Sequence, residues 1–85
     1  MGKAMEATRD FDEFYSSSAA RVLHAVYAMT GDRAEAQDCV QEAYARAWQR
    51  WGTVRGYGDP EAWVRTVARR VAVSRWRKAR NAVTA

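Results

Sequence analysis

Apolar residues recur along this chain at intervals of three and four, the repeat of a helix that buries one face. In the first third Phe11, Phe14, Tyr15, Val22, Leu23, Val26 and Tyr27 keep that spacing, and Asp10 with Glu13 stand at the separation of a capping box. A helix is predicted from about Phe11 to Met29, weakened in its middle by Ser16, Ser17 and Ser18. It should stop at Gly31, because a residue without Cβ suits the left-handed position just past a helix end. Asp32 and Glu35 repeat the capping-box spacing, and Ala36, Val40, Ala43, Tyr44, Ala47, Trp48 and Trp51 form a second apolar stripe that Gly52 should close. Trp48 and Trp51 lie on this stripe and are expected to pack. From Gly52 to Asp59 there are three glycines and no aliphatic residue except Val54, which predicts a loop. Asp59 then caps a third helix with Pro60 at its first position, where the missing amide would be unpaired anyway. The third stripe is Trp63 or Val64, followed by Val67, Ala68, Val71 and Ala72.

This pattern predicts an all-α fold, a compact bundle of three main helices without a sheet. The short Thr30-Gly31-Asp32 link makes the first two helices an antiparallel pair, and the longer glycine loop lets the third cross at another angle. With 85 residues there is room for one small domain, and 48% hydrophobic with 12% aromatic residues excludes a disordered chain. No stretch approaches the ~18 apolar residues of a membrane-spanning helix. The first twenty residues carry Glu6, Asp10, Asp12 and Glu13 without an apolar run, so no secretory signal is read and a cytoplasmic location is expected. One cysteine, Cys39, excludes an internal disulfide, and with His24 as the sole histidine no zinc set can be assembled. There is no phosphate-binding glycine loop and no nucleophile with a base, so neither an enzyme, a cofactor nor a metal is expected.

Charge changes the picture, because the formal net charge of +4 is unevenly spread. From Asp59 onward seven bases (Arg65, Arg69, Arg70, Arg75, Arg77, Lys78 and Arg80) stand against Asp59 and Glu61, whereas the first 58 residues sum to −1. A basic third helix points to a polyanion, nucleic acid first, although a helix C-terminus also favours cations for its own dipole. The second helix is the opposite case. Burying its stripe leaves Glu35, Asp38, Gln41, Glu42, Arg46 and Gln49 outward, and Asp38, Gln41 and Glu42 project together at i, i+3 and i+4.

The run Gly31 to Trp48, with Asp38, Val40, Gln41, Glu42 and Tyr44 at its centre, resembles the second conserved region of bacterial RNA polymerase sigma factors. The likeness is closest to the extracytoplasmic-function (ECF) group of the sigma-70 family. Arg55-Gly56, Trp63, Val67-Ala68 and the closing Arg75-Trp76-Arg77-Lys78-Ala79-Arg80 look like the loop and helix that read and melt the promoter −10 element. The resemblance covers about Phe11 to Arg80. It implies residues 1–10 as an N-terminal tail, 11–80 as the region 2 domain, and 81–85 as the start of a linker to a helix-turn-helix domain outside this chain.

The resemblance further implies that Glu35, Asp38, Gln41, Glu42 and Tyr44 dock on core RNA polymerase, on the clamp helices of its largest subunit. Promoter DNA, as the non-template strand of the −10 element, would meet Arg55, Gly56, Tyr57, Trp63, Arg65, Arg69, Arg70, Ser74, Arg75, Trp76, Arg77, Lys78 and Arg80. Gly56 and Gly58 would let backbone approach a flipped base beside Tyr57, and Trp63 either plugs the core or abuts the melted bubble. Arg70 and Ser74 stand where related factors often place asparagines, a departure that alters the expected base preference. An anti-sigma protein is a further partner the family implies, and the simplest oligomeric state is a monomer. Two other readings stay open from the residues alone: a module that puts its third helix in a duplex major groove, and a bundle that binds another helix.

Overall fold

The computed structural model describes residues 2–84. Four helices follow one another, α1 (Gly2–Thr30), α2 (Arg33–Gln49), α3 (Trp51–Val54) and α4 (Pro60–Thr84), and no strand occurs among the described residues. The three long helices are those read from the apolar stripes, with α4 as the third. Their lengths of 29, 17 and 25 residues differ from the near-equal helices expected, because α1 begins at Gly2 instead of Phe11 and α4 runs on to Thr84. Asp10 is thus no cap; it lies within α1 and pairs with Arg55.

The other boundaries have local causes. Gly31 ends α1 at φ 71°, the left-handed conformation that its missing side chain permits, and its amide bonds to the Tyr27 carbonyl at 2.8 Å. Asp32 starts α2 by accepting from the Glu35 amide at 3.0 Å, and Asp59 starts α4 in the same way from the Ala62 amide, also at 3.0 Å. Gly52 does not close α2. The break comes at Arg50 (φ −116°, ψ 24°), and Trp51 to Val54 form a separate helical turn inside the expected loop. That turn exists because Trp51 and Val54 are both buried, so one end of the segment is held by the core.

Burial builds the bundle from small side chains. Val22 and Val26 of α1, Ala36, Cys39, Val40, Ala43 and Ala47 of α2, and Val64, Ala68, Val71 and Ala72 of α4 form one buried cluster. Alanines at the contacts let the helix axes approach, and each fully buried valine contributes ~1.5–3 kcal/mol. Toward the α3 end the filling is aromatic. Phe11 meets Trp48 at 5.2 Å and Trp51 at 5.3 Å, Phe14 stacks on Trp51 at 5.2 Å, and Tyr15 meets Tyr44 edge-on at 4.8 Å. Trp48 packs on Phe11 and is 46% exposed, whereas Trp51 is buried and its indole N–H has no partner among the described residues.

These contacts fix the directions of the helices. Early α1 touches late α2, and the two meet again at the Gly31 turn, so they run antiparallel. The start of α4 lies beside the end of α2, and Arg75 reaches back to Glu35, so α4 also opposes α2. Arg21 of α1 grips Glu61 of α4 through three hydrogen bonds of 2.8 to 3.3 Å, which pins the start of α4 against α1. That guanidinium holds the Glu61 carboxyl below its ordinary range. The body measures 52 × 22 × 21 Å, and no helix among the described residues is long and apolar enough to cross a membrane.

Candidate functional site

The two halves of α2 present different chemistry. In the N-terminal half Asp38 and Gln41 are exposed, and Gln41 Nε2 donates to the Tyr15 hydroxyl at 3.1 Å. Asp38 has no side-chain partner among the described residues. Glu35 and Glu42 are tied inward. Arg75 of α4 donates to Glu35 Oε1 at 3.5 Å and to Glu42 Oε2 at 3.3 Å, while Arg46 donates to Glu42 Oε1 at 3.0 Å. Arg75, expected among the phosphate-holding cations, therefore faces α2: it continues the register of Val64, Ala68 and Val71, one turn beyond the buried stripe.

Tyr44 requires a correction. It is 2% exposed, its hydroxyl lies 2.6 Å from Ser18 Oγ, and Phe11, Phe14 and Tyr15 surround the ring. It is a core residue, so it offers no surface to a partner. Burial pushes its phenol above the ordinary value, against the opposing pull of the Ser18 hydrogen bond. Ser18, read from the sequence as a weakness of α1, is itself buried and also bonds the Phe14 carbonyl at 2.6 Å. Its hydroxyl joins the two helices at a buried polar point of their interface. Cys39 is buried beneath Glu35 and Arg75; burial is the main reason its thiol is pushed up, with the Arg75 charge opposing.

The cations expected to hold DNA divide between two flanks of α4. On one flank Trp63, Val67 and Arg70 face Arg46 and Gln49 of α2 and the capping Arg50 across a groove of about 400 Å³. A second hollow continues it, lined by Glu42, Arg46, Val71, Ser74, Arg75 and Lys78. On the other flank Arg65, Arg69, Trp76 and Arg80 follow at intervals of four, seven and four. Arg65 lies 4.0 Å from Glu61, and the Arg80 guanidinium sits 5.4 Å from the centre of the Trp76 ring. Trp76 is 60% exposed, and Arg77 is exposed as well.

The turn between α3 and α4 contributes less than expected. Arg55 is paired with Asp10, and Tyr57 leans toward Trp63 with ring centres 6.3 Å apart. Neither Gly56 nor Gly58 has a positive φ; a Cβ would touch the Thr53 carbonyl at 3.4 Å in the first case and nothing in the second. Trp63 itself is half-buried, between the two roles considered for it. Arg46, Gln49 and Arg50 are the residues that sequence reasoning did not place at this groove. Their i, i+3, i+4 spacing at the end of α2 was the available signal, but the helix period alone does not say which neighbour they face.

A helical bundle with an acidic stretch of α2 and a basic α4 is what the sequence pattern of one known family describes. The family model for Sigma-70 region 2 matches residues 14–82, and the chain belongs to this family as an ECF-type region 2 domain. Among relatives it is 39% identical over 67 residues to the ECF RNA polymerase sigma factor SigL of Mycobacterium tuberculosis, in strains including H37Rv and CDC 1551. The match covers 78% of this chain and 38% of that relative, so the chain spans well under half the length of the sigma factor it resembles. No solved structure matches it.

Proposed function

We propose that this chain is the part of a cytoplasmic, non-enzymatic sigma factor that binds core RNA polymerase through α2 and engages the −10 promoter strand through the α3–α4 turn and α4. The observation that carries this reading is the exposed pair Asp38 and Gln41 on α2, set apart from the cations of α4 that lie on α4's outer side and on the flank facing the end of α2. An acidic, amide-bearing helix face complements a basic polymerase surface, and steers encounter more than it adds affinity. The basic helix with its exposed Trp76 suits a single strand, where cations track phosphates and an aromatic face stacks on a base for ~1–3 kcal/mol. Promoter opening then needs no bond chemistry. Binding energy for extruded bases offsets an unstacking cost of a few kcal/mol. Arg70 and Ser74, on the groove flank of α4, read the −10 bases in this scheme, and an anti-sigma protein would act by covering α2.

The test separates surface from core. Glu42 is held by two arginines, so the informative variant is Asp38→Ala with Gln41→Ala, which breaks no ion pair. It should lose core polymerase in a pull-down while keeping its helical circular dichroism; undiminished recovery would sink the assignment of α2. Anisotropy of a labelled non-template −10 strand and of its duplex, with and without core polymerase, tests the other surface. Polymerase-dependent binding of the single strand supports the proposal, and tight duplex binding without polymerase replaces it with the major-groove reading.

A further inference from the structure

We propose that the end of α4 is a self-association surface: two copies of this chain pack antiparallel along Ala72, Trp76, Ala79 and Val83, each seating its α4 in the other's groove beside Met29. These four residues of α4 stand at intervals of four, three and four, the spacing of a coiled-coil seam. Ala72 belongs to the buried core, but Trp76 is 60% exposed, Val83 is 86% exposed, and Ala79 is exposed as well. An apolar seam thus leaves the core and emerges into solvent along α4. Beside it Met29 and Val73, both exposed, help to line a groove of about 530 Å³ between the end of α1 and α4. Exposed apolar residues gathered in one groove mark a surface that another polypeptide covers.

Size and charge choose the occupant. Asp32 and Glu35 on the α2 wall of the groove repel phosphate, and the seam spacing calls for a helix. A second copy of α4 fits because its layers are self-complementary. With a twofold axis between Trp76 and Ala79, Trp76 meets the partner's Ala79 and Val83 meets the partner's Ala72, so a large side chain faces a small one in every layer. Charge fixes the direction. The same face of α4 continues upstream as Arg65 and Arg69, seven residues before Ala72 and Trp76. Parallel pairing would set each of these arginines, and each Trp76, against its own copy, whereas antiparallel pairing puts no arginine opposite another in the seam. Its flanking positions are Val73, Arg75, Arg80 and Ala82, and Arg75 is already held by Glu35 and Glu42. From Ala72 to Val83 the seam runs about 17 Å at 1.5 Å per residue, so the interface is small and the dimer weak. This departs from the monomer expected from the sequence. Trp76 is also the aromatic face offered to the promoter strand above, and on that reading the dimer withholds it; the self-association does not depend on that reading.

The experiment is sedimentation equilibrium of the chain over roughly 10 μM to 1 mM, the range in which a small interface is populated. One monomer–dimer equilibrium is expected. Raising salt should strengthen it, because two chains of net charge +4 repel each other, whereas binding to DNA weakens with salt. Trp76→Ala should weaken the dimer by at least about tenfold, the effect of truncating a central aromatic anchor. Ala79→Trp sets two indoles against each other and should weaken it as well. Both positions are exposed, so each variant should keep its helical circular dichroism. Trp76→Ala combined with Ala79→Trp reverses each large-on-small layer and should recover most of the dimer. A monomer throughout the range overturns the proposal. So does a dimer indifferent to Trp76→Ala, one that weakens as salt rises, or association that continues beyond two copies. Two weakened single variants without recovery in the combined one overturn the antiparallel layers, and the proposal with them.

Discussion

The two halves of α2 share one buried stripe and differ in how their charges are held. From its N-terminus to just past its middle, Glu35 and Glu42 are anchored by Arg75 from α4, leaving Asp38 and Gln41 as the groups a partner can take without breaking an ion pair. At the C-terminal end Arg46 and the capping Arg50 line a groove with Arg70, and two of these three have no carboxylate within 4.0 Å among the described residues. A single helix thus carries two charge environments because its inner face is common and its outer charges are sorted along its length. Exposed ion pairs such as those of Arg75 stabilise by at most ~1 kcal/mol, so their effect is to position carboxylates more than to hold the fold.

The strongest way to break this contrast is to remove the inner face on which both halves depend. Tyr44→Ala deletes a buried ring surrounded by Phe11, Phe14 and Tyr15 and removes the cross-helix partner of the Ser18 hydroxyl, a loss of about 3–5 kcal/mol. A domain of this size should then melt below room temperature or fail to fold, and both surfaces should be lost together. Tyr44→Phe keeps the ring and removes one hydrogen bond, for about 1 kcal/mol by thermal melting. Polymerase recovery that survives Tyr44→Phe confirms a packing role; selective loss of recovery in a stable Tyr44→Phe protein would return Tyr44 to the interface.

A smaller effect sharpens the contrast within the N-terminal half. Arg75→Ala should lower stability by less than about 1 kcal/mol, because its carboxylate partners are about two-fifths exposed. Polymerase affinity should rise, since Glu35 and Glu42 lose a competing cation. A fall in affinity would mean that Arg75 instead holds the two carboxylates in the geometry the polymerase needs.

The mildest test uses pH. Burial raises the Tyr44 phenol and the Cys39 thiol above their ordinary values, so as pH rises the unfolded chain releases these protons first. Stability from both groups is fully present below the ordinary thiol value and declines as pH climbs past the thiol and then the phenol range. Denaturant melts should show this alkaline decline, reduced in its first part by Cys39→Ala. A flat profile there would contradict the burial of both groups.

How much of this was legible in the sequence depends on the kind of interaction. The three long helices, the glycine at Gly31 and the caps at Asp32 and Asp59 follow from period and local chemistry, because a helix end must satisfy its own amides within a few residues. The extra turn at Trp51 was not legible, since it forms only where Phe11 and Phe14 of α1 receive the indole. Asp10 illustrates the same limit: its spacing to Glu13 fits a cap, yet it lies inside a helix and pairs with Arg55, distant in the chain.

For the site, the sequence determined the inventory: an acidic, amide-bearing stretch on the second helix, a basic third helix, and a family resemblance that the match over residues 14–82 supports. Tertiary structure alone decided the allocation. It buried Tyr44, turned Arg75 toward Glu35 and Glu42, and brought Arg46 and Arg50 across from Arg70. The reason is physical: the helical repeat fixes which residues share a face of one helix, but the partner of a charge is set by the neighbouring helix, and that depends on how the small and aromatic side chains of the core pack.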